Sequence, residues 1–202
     1  MLNERYALEK ERISKLELDA GADLEHPVFG EGNAQNPIIM FIGEAPGREE
    51  AASGRPFVGK AGKQLDGMLA LAGIDRSGVF VTNSVKYRPM KVSDGRASNR
   101  TPSLAEVKAG LDLLRYEIGT VSPCVIATLG NVPLTAVRLL SDTPDERLTV
   151  GEAHGMPTVT VIGGNPVKLF PLYHPAAAIY NRELKPVLER DLVTLGEFVR
   201  SL

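Results

Sequence analysis

Residues 37–47 read Pro-Ile-Ile-Met-Phe-Ile-Gly-Glu-Ala-Pro-Gly, and this stretch decides the fold. Its unbroken apolar run, Ile38 to Ile42, is typical of a strand that is buried on both faces of a parallel sheet. The glycines and the proline that follow predict a tight turn whose backbone N–H groups point outward. Because ligands of open α/β sheets bind at the carboxyl ends of the strands, we expect the functional site at this turn.

A second glycine-rich loop follows the first closely in the chain. Residues 54–62 read Gly-Arg-Pro-Phe-Val-Gly-Lys-Ala-Gly, and Phe57 is their single aromatic side chain. The first loop offers backbone donors and the carboxylate of Glu44, and the second offers a ring for stacking. Together the two loops predict a pocket for a flat, polar, uncharged ring.

Strands and helices alternate along the chain, which indicates a three-layer αβα sandwich around a central, mainly parallel sheet. Residues 1–202 are predicted to form a single α/β domain, since 43% of the residues are hydrophobic and no long low-complexity segment interrupts them. Residues 1–26 are an N-terminal helical segment, with an amphipathic helix over 4–18. The remaining predicted strands are 79–82, 125–129 and a hairpin of 158–162 with 168–172, and the remaining predicted helices are 64–72, 103–117, 131–140 and 186–202.

The charge of the chain is uneven, although its net value of −2 gives no overall indication of nucleic-acid binding. Residues 86–100 carry five basic side chains and one acidic one, so this segment is basic by +4. We expect a surface excursion that contacts phosphates. The basic residues are Lys86, Arg88, Lys91, Arg96 and Arg100, and Arg182 and Lys185 are expected to act likewise.

Cysteine usage and hydropathy indicate an ordinary cytoplasmic protein. The single cysteine, Cys124, lies beside an apolar run and is predicted to be a buried core thiol. No apolar stretch is long enough to span a membrane, and the N-terminus lacks the apolar core of a signal peptide. We therefore expect no membrane contact.

Two polar residues stand at the predicted carboxyl ends of other strands. Asn83 follows the strand 79–82, and His174 follows the last strand and precedes Pro175. An asparagine amide both donates and accepts hydrogen bonds, so it can pair with the edge of an amide-like base. The segment Gly54 to Lys60 nearly matches a phosphate-binding P-loop, but Ala61 stands where that motif needs Ser or Thr, which argues against a nucleotide-dependent phosphotransferase.

Taken together, these pieces resemble the uracil-DNA glycosylase superfamily, most closely its family 4. The resemblance runs in order from about residue 28 to the C-terminus. The matching motifs are Gly30-Glu-Gly-Asn33, Gly43-Glu-Ala-Pro-Gly47, Gly54-Arg-Pro-Phe-Val-Gly59 with Ala61-Gly62, Asn83-Ser-Val-Lys86, Asn99-Arg-Thr-Pro102, Leu129-Gly130 and His174-Pro175.

The chain departs from the resembled family in its cysteines. Family 4 enzymes hold a [4Fe–4S] cluster on four thiolates. The corresponding positions here are Lys15, Leu18, Tyr87 and Gly110, so we predict no cluster and no metal.

The resemblance also implies roles for the pocket residues. Phe57 would stack on an everted uracil and Asn83 would read its Watson–Crick edge. The backbone of Ala45 and the side chain of His174 would stabilise the departing anion at O2. Glu44, alone or together with Asn83, would hold the attacking water. Glu50 would stand near C5 of the ring.

The resemblance further implies contacts with DNA outside the pocket. The predicted contact residues are Gly59, Lys60, Lys86, Arg88, Arg100, Ala178, Ile179 and Arg182. Ala178 or Ile179 would fill the gap left by the everted base. Because alanine is a poor wedge, single-stranded or mispaired uracil should be preferred as the substrate. Separately, the enzyme is expected to act as a monomer.

Two other interpretations stay open at this point. The first is a glycosylase for another deaminated base, such as hypoxanthine or xanthine. The second is a nucleic-acid-binding relative without catalytic turnover.

Overall fold

The computed structural model describes residues 1–17, 21–143 and 148–202. The strands are β1 Ala22–Asp23, β2 Glu31–Gly32, β3 Ile39–Gly43, β4 Val79–Asn83, β5 Arg88–Ser93, β6 Arg96–Asn99, β7 Val125–Leu129, β8 Thr158–Ile162 and β9 Asn165–Leu172. The α-helices are α1 Leu2–Ser14, α2 Arg48–Ser53, α3 Lys60–Leu71, α4 Leu104–Val121, α5 Asn131–Leu140, α6 Val150–Ala153, α7 Ala177–Tyr180 and α8 Leu184–Arg200.

The main sheet has six strands in the order β2-β4-β3-β7-β9-β8. The four inner strands are parallel, whereas β2 and β8 pair antiparallel at the two edges. The predicted mainly parallel sheet is therefore confirmed. All carboxyl ends of the inner strands lie at one edge of the sheet, which is where the site is built.

Helices cover both faces of this sheet because alternate residues of each strand point in opposite directions. Ile39 and Phe41 of β3 pack with side chains of α3 and α8. Met40 and Ile42 pack on the other face with α1, α4 and α5. All four side chains are fully buried. The three-layer αβα prediction is thus confirmed, and the apolar run of β3 is the centre of both cores.

The hairpin of β8 and β9 is confirmed, and it turns at Gly163 and Gly164, both with positive φ. The helices differ from their predicted bounds by a few residues, and the short helices α2, α6 and α7 were not predicted. The prediction of a helix over 4–18 is corrected to Leu2–Ser14, and Leu18 lies outside the described residues.

Residues 86–100 were predicted to be a basic surface excursion, and this prediction is only partly right. Lys86 and Arg88 are buried, whereas residues 91–99 form the exposed part of a hairpin of β5 and β6. Strand β5 also pairs with β1 in a small second sheet. The hairpin turns at Asp94 and Gly95, whose φ values are +52° and +72°. Two successive residues with positive φ are typical of a type I′ turn, which suits the twist of a two-residue hairpin loop.

The prediction for Cys124 was wrong, because this residue is exposed. It precedes β7, and its backbone N–H donates to the carbonyl of Pro37 at 3.1 Å. The backbone is therefore fixed to the sheet while the side chain faces solvent. No helix within the described ranges is both long and apolar enough to cross a membrane.

Candidate active site

A cavity of about 680 Å³ opens at the carboxyl edge of the inner strands. Its walls include Ala45, Glu50, Phe57, Asn83 and His174, which come from four separate parts of the chain. The residues that the sequence assigned to base recognition therefore share one cavity. The same cavity is also lined by Gly59, Lys60 and Arg88.

Phe57 approaches the end of β3 closely because residue 43 is a glycine. A Cβ atom at Gly43 would lie 2.5 Å from Cζ of Phe57 and would overlap Oδ1 of Asn83. The parallel register pairs Gly43 with Asn83, which fixes the amide beside the ring. Any larger residue at position 43 would push the ring and the amide apart, so this glycine is needed for the shape of the cavity.

The backbone of Phe57 adopts a left-handed conformation, with φ of +56°. This region is disfavoured for bulky residues and is found where surrounding structure imposes it. Here the carbonyl of Phe57 packs against the start of α3, where a Cβ atom at residue 62 would overlap it, so this arrangement requires glycine at position 62. Phe57 is also 92% buried, with a relative exposure of 8%. The ring is thus held in place by the fold itself.

Asn83 is held from behind by a buried ion pair. The ammonium group of Lys86 donates to the backbone carbonyl of Asn83 at 2.6 Å, to Oγ1 of Thr82 at 2.6 Å and to Oε2 of Glu117 at 2.7 Å. Glu117 also accepts from the hydroxyl of Tyr6 at 2.8 Å. Burial lowers the pKa of Lys86, and the charge of Glu117 opposes that shift.

The prediction that Lys86 contacts DNA is therefore wrong. Its side chain is only 1% exposed, and its three donors already have partners inside the protein. The guanidinium of Arg100 forms two hydrogen bonds to the carboxylate of Glu106, at 2.7 and 2.8 Å, and its side chain is 17% exposed, so its contact with DNA stays a prediction. Lys86 instead holds the backbone of Asn83 from inside the protein.

His174 lies in the cavity as a neutral imidazole with a defined tautomer. The backbone N–H of Ala176 donates to its Nδ1 at 3.1 Å, which leaves the proton on Nε2. Burial lowers the pKa of His174, and the charge of Glu50 opposes this shift only in part. The imidazole therefore presents an N–H donor without carrying a charge.

Glu50 holds the two glycine-rich loops together. Its carboxylate accepts from the backbone N–H of Gly47 at 3.1 Å and from that of Gly59 at 2.8 Å. A Cβ atom at either glycine would lie within 3 Å of a Glu50 oxygen, at 2.7 Å for Gly47 and 2.9 Å for Gly59. The first turn and the Phe57 loop are thus joined through the carboxylate of Glu50 and packed closely against it.

Glu44 is not part of the cavity lining, although its neighbour Ala45 is. Burial raises the pKa of Glu44, and a hydrogen bond from Thr101 opposes the shift. The other predicted catalytic residues, Asn83 and His174, do line the cavity. Glu44 is a partly desolvated carboxyl next to the lining residue Ala45.

We expect Glu44→Gln to stabilise the protein at neutral pH by ~0.5–2 kcal/mol, the usual range for a single stabilising substitution. Because the pKa of Glu44 is higher in the folded protein than in the unfolded chain, the free energy of unfolding falls as the pH rises from the unfolded pKa through the folded pKa. Glutamine keeps an acceptor for Thr101 and carries no charge. Urea unfolding at pH 7 and pH 4 measures the effect. A gain of the same size at both pH values would contradict the ionisation argument.

The residues near the cavity mouth differ from those expected. Ala178 is only 5% exposed, so the prediction that it enters the DNA stack is wrong. Ile179 is 45% exposed and lines the cavity together with Tyr180, which sequence reasoning missed. Arg182 is exposed but lies outside the lining. A helical turn buries every third or fourth side chain, and only the structure shows that Ala178 is the buried one here.

Two further structural details bear on the sequence motifs. The P-loop interpretation is not supported, because α2 intervenes between β3 and the loop that begins α3. Sequence reasoning also missed Arg48 and the hairpin residues 97–99, all of which line the cavity. They follow from the placement of α2 and β6, neither of which the sequence pattern indicated.

The positions that correspond to the iron–sulfur ligands do not fit a cluster. Tyr87 is buried and its hydroxyl donates to Glu106 at 3.5 Å. A Cβ atom at Gly110 would overlap the backbone carbonyl of Ser84, so a cysteine could not be accommodated there without a shift. Lys15 is exposed and pairs with Glu11 at 2.6 Å. The described part of the chain contains no cluster of side chains suited to a metal ion, and Leu18 lies outside it.

Comparison with known proteins agrees with this geometry. The family model described as the uracil-DNA glycosylase superfamily matches residues 29–193. The chain belongs to the uracil-DNA glycosylase superfamily. The resemblance found in the motifs is thereby confirmed over most of the sequence.

Several relatives of this chain are named type-4 uracil-DNA glycosylase. The type-4 uracil-DNA glycosylase of Saccharolobus solfataricus is 38% identical over 178 residues, which cover 88% of this chain and 78% of the relative. That of Archaeoglobus fulgidus is 38% identical over 84% of this chain and 80% of the relative. That of Thermotoga maritima is 35% identical over 86% and 83%, respectively.

Proposed function

We propose that this protein is a DNA glycosylase of base excision repair, which hydrolyses the N-glycosidic bond of uracil in DNA. The observation that carries the proposal is the shared cavity of Ala45, Phe57, Asn83 and His174. These groups are a backbone donor, a ring, an amide and a neutral imidazole. The names of the type-4 relatives support the same substrate.

Recognition begins when the nucleotide leaves the base stack and enters the cavity. Phe57 stacks on the ring, and the amide of Asn83 pairs with O4 and N3–H of uracil. Cytosine presents a reversed pattern of donors and acceptors at this edge, which would leave buried polar groups unpaired. Glu50 accepts hydrogen bonds from Gly47 and Gly59, which holds the two glycine-rich loops of the cavity wall together.

Cleavage of the bond between C1′ and N1 leaves its electron pair on uracil. The Nε2–H group of His174 and the backbone N–H of Ala45 stabilise the resulting anion at O2. The sugar becomes cationic and is attacked by water, which loses a proton to a nearby base. Glu44 serves as that base through a bridging water, since its carboxyl lies outside the cavity lining.

The decisive experiment measures base release from single-stranded oligonucleotides that carry uracil, hypoxanthine or xanthine, followed by alkali cleavage. Release of uracil, with at least ~10-fold slower release of the other bases, is the expected result, because a site built on hydrogen bonds penalises the wrong edge. Faster release of hypoxanthine or xanthine would replace the proposed substrate. Binding without release of any base would refute the enzymatic proposal.

We further propose that single-stranded or mispaired uracil is the preferred substrate. Ala178 is buried, so the mouth offers only part of the wedge that a stacked duplex demands. We expect release from U·G to be several-fold faster than from U·A, roughly 5-fold, and release from a single strand to be faster still, since less unstacking is required. Equal initial rates on U·A and U·G duplexes would contradict this preference.

Three related proposals concern the protein as a whole. Residues 1–202 act as one glycosylase domain, the active form is a monomer, and the location is cytoplasmic. Light scattering of the protein with and without DNA tests the second of these.

A further inference from the structure

Two exposed elements line the cavity, and we call them its rims. One rim is the β5–β6 hairpin, of which Ala97, Ser98 and Asn99 line the cavity. The other is α7, of which Ile179 and Tyr180 line it. A nucleotide in the cavity therefore lies next to both rims, so its neighbours in the strand can reach them.

The hairpin rim is a firmly held element with an apolar surface. Nε of Arg88 donates to Oδ1 of Asn99 at 2.7 Å, which joins the two strands at their base. Val92 pairs with Ala97 across the strands, so both side chains lie on the same face of the hairpin. Arg88, Ala97 and Asn99 all lie on this face and all line the cavity, which directs the face toward the cavity. Val92 is on the same face and is 65% exposed, outside the lining itself.

The opposite rim presents an aromatic ring. Tyr180 is 90% exposed, an unusual exposure for a large aromatic side chain that also lines a cavity. Its ring can stack on a nucleobase of any identity, because every base has a π-face. One rim thus presents an exposed ring and the other an aliphatic pair.

The charges around the mouth favour a polyanion. Arg48 and Lys60 line the cavity and are exposed. Lys91 and Arg96 are exposed on the hairpin. Two exposed carboxylates, Glu49 in the lining and Asp94 at the hairpin tip, leave an excess of two positive charges.

We propose that Tyr180 and the Val92–Ala97 pair form a clamp for single-stranded DNA, which packs against the bases flanking the everted nucleotide. The clamp rests on the proposed function, because the position of the everted base determines which neighbouring bases reach the rims. Bases in a duplex are already stacked on one another, so the rims add contacts chiefly for unpaired neighbours. The clamp thereby provides a physical cause for a preference for single strands.

Binding of uracil-free DNA tests the clamp without any catalytic turnover. Fluorescence anisotropy is measured with a short oligo(dT) strand and with a duplex of the same length. We expect Tyr180→Ala to weaken binding of the single strand about 5- to 100-fold, and Val92→Ser about 2- to 5-fold. Tyr180→Phe should bind as the wild type does, and duplex binding should change less than about 2-fold.

The chain offers a matched control for each rim. Val159 on β8 is 63% exposed and lies outside the cavity lining, so Val159→Ser reproduces the loss of an exposed valine. Tyr116→Ala removes another partly exposed tyrosine, on α4. Both controls should bind oligo(dT) as the wild type does. Because Tyr180 and Val92 are largely exposed, their variants should keep the unfolding temperature of the wild type.

The outcomes separate the clamp from the glycosylase. The clamp would be overturned if Tyr180→Ala and Val92→Ser lost equal affinity for the single strand and the duplex, or lost no affinity for either. This holds even if the wild type releases uracil. Selective loss on the single strand, in a wild type that releases no base, would support the clamp as a binding surface and refute the glycosylase.

Discussion

Lys86→Met is expected to lower the free energy of unfolding by about 3–5 kcal/mol, because it leaves the carboxylate of Glu117 buried without its cationic partner. Glu117 is fully buried and cannot regain contact with water in the folded state. The hydroxyl groups of Tyr6 and Thr82 would remain as its donors, and neither carries a charge. Urea unfolding followed by circular dichroism measures the loss.

A second substitution tests the cause of this loss. Glu117→Gln in the Lys86→Met background removes the stranded charge and keeps a carbonyl oxygen for Tyr6 and Thr82. We expect this double variant to recover at least ~1 kcal/mol of the loss, since breaking one partner of a buried pair costs more than replacing both. Lys91→Met, on the exposed hairpin, should stay within about 0.5 kcal/mol of the wild type. A double variant less stable than Lys86→Met would contradict the argument.

His174→Ala is expected to slow uracil release about 10²–10³-fold, the usual cost of removing one donor to a developing oxyanion. The effect should fall on kcat rather than KM, because the charge on O2 appears only as the bond breaks. Single-turnover release from single-stranded DNA measures it. Removal of the side chain leaves the backbone donor of Ala45 in place, so a residual rate should persist.

The matched controls use other side chains of the same protein. His26 is largely exposed, with 59% of its side-chain surface accessible, and His26→Ala should release uracil at the wild-type rate. His174→Gln keeps an N–H donor and should recover part of the loss. If His174→Ala released uracil as fast as the wild type, the imidazole would not be the donor to O2.

Most of the sheet and the cavity could be predicted from local sequence. The apolar run before Gly43 indicated a doubly buried strand, and parallel strands necessarily place their carboxyl ends together. Asn83 and His174 were found because each follows such a strand. The order of the strands and the antiparallel edges depend on chain crossings, which periodicity does not encode.

Several errors share one physical cause, which is the dependence of burial on partners that are distant in the chain. Lys86 was placed on the surface because its basic neighbours suggested a solvated loop, yet its partner Glu117 lies 31 residues away along the chain. Ala178 and Tyr180 are two residues apart in one helical turn, and only packing decides which is exposed. Cys124 was assigned to the apolar strand that begins one residue later.

The left-handed backbone of Phe57 has a consequence for how this site can evolve. The carbonyl of Phe57 occupies the space that a side chain at Gly62 would need, and every residue at position 57 would bring the same carbonyl. A substitution at Gly62, on a helix that faces the core, would displace this backbone and with it the ring proposed to stack on the base. Position 62 is therefore expected to stay a glycine in natural variants, even in those that carry a different side chain at position 57.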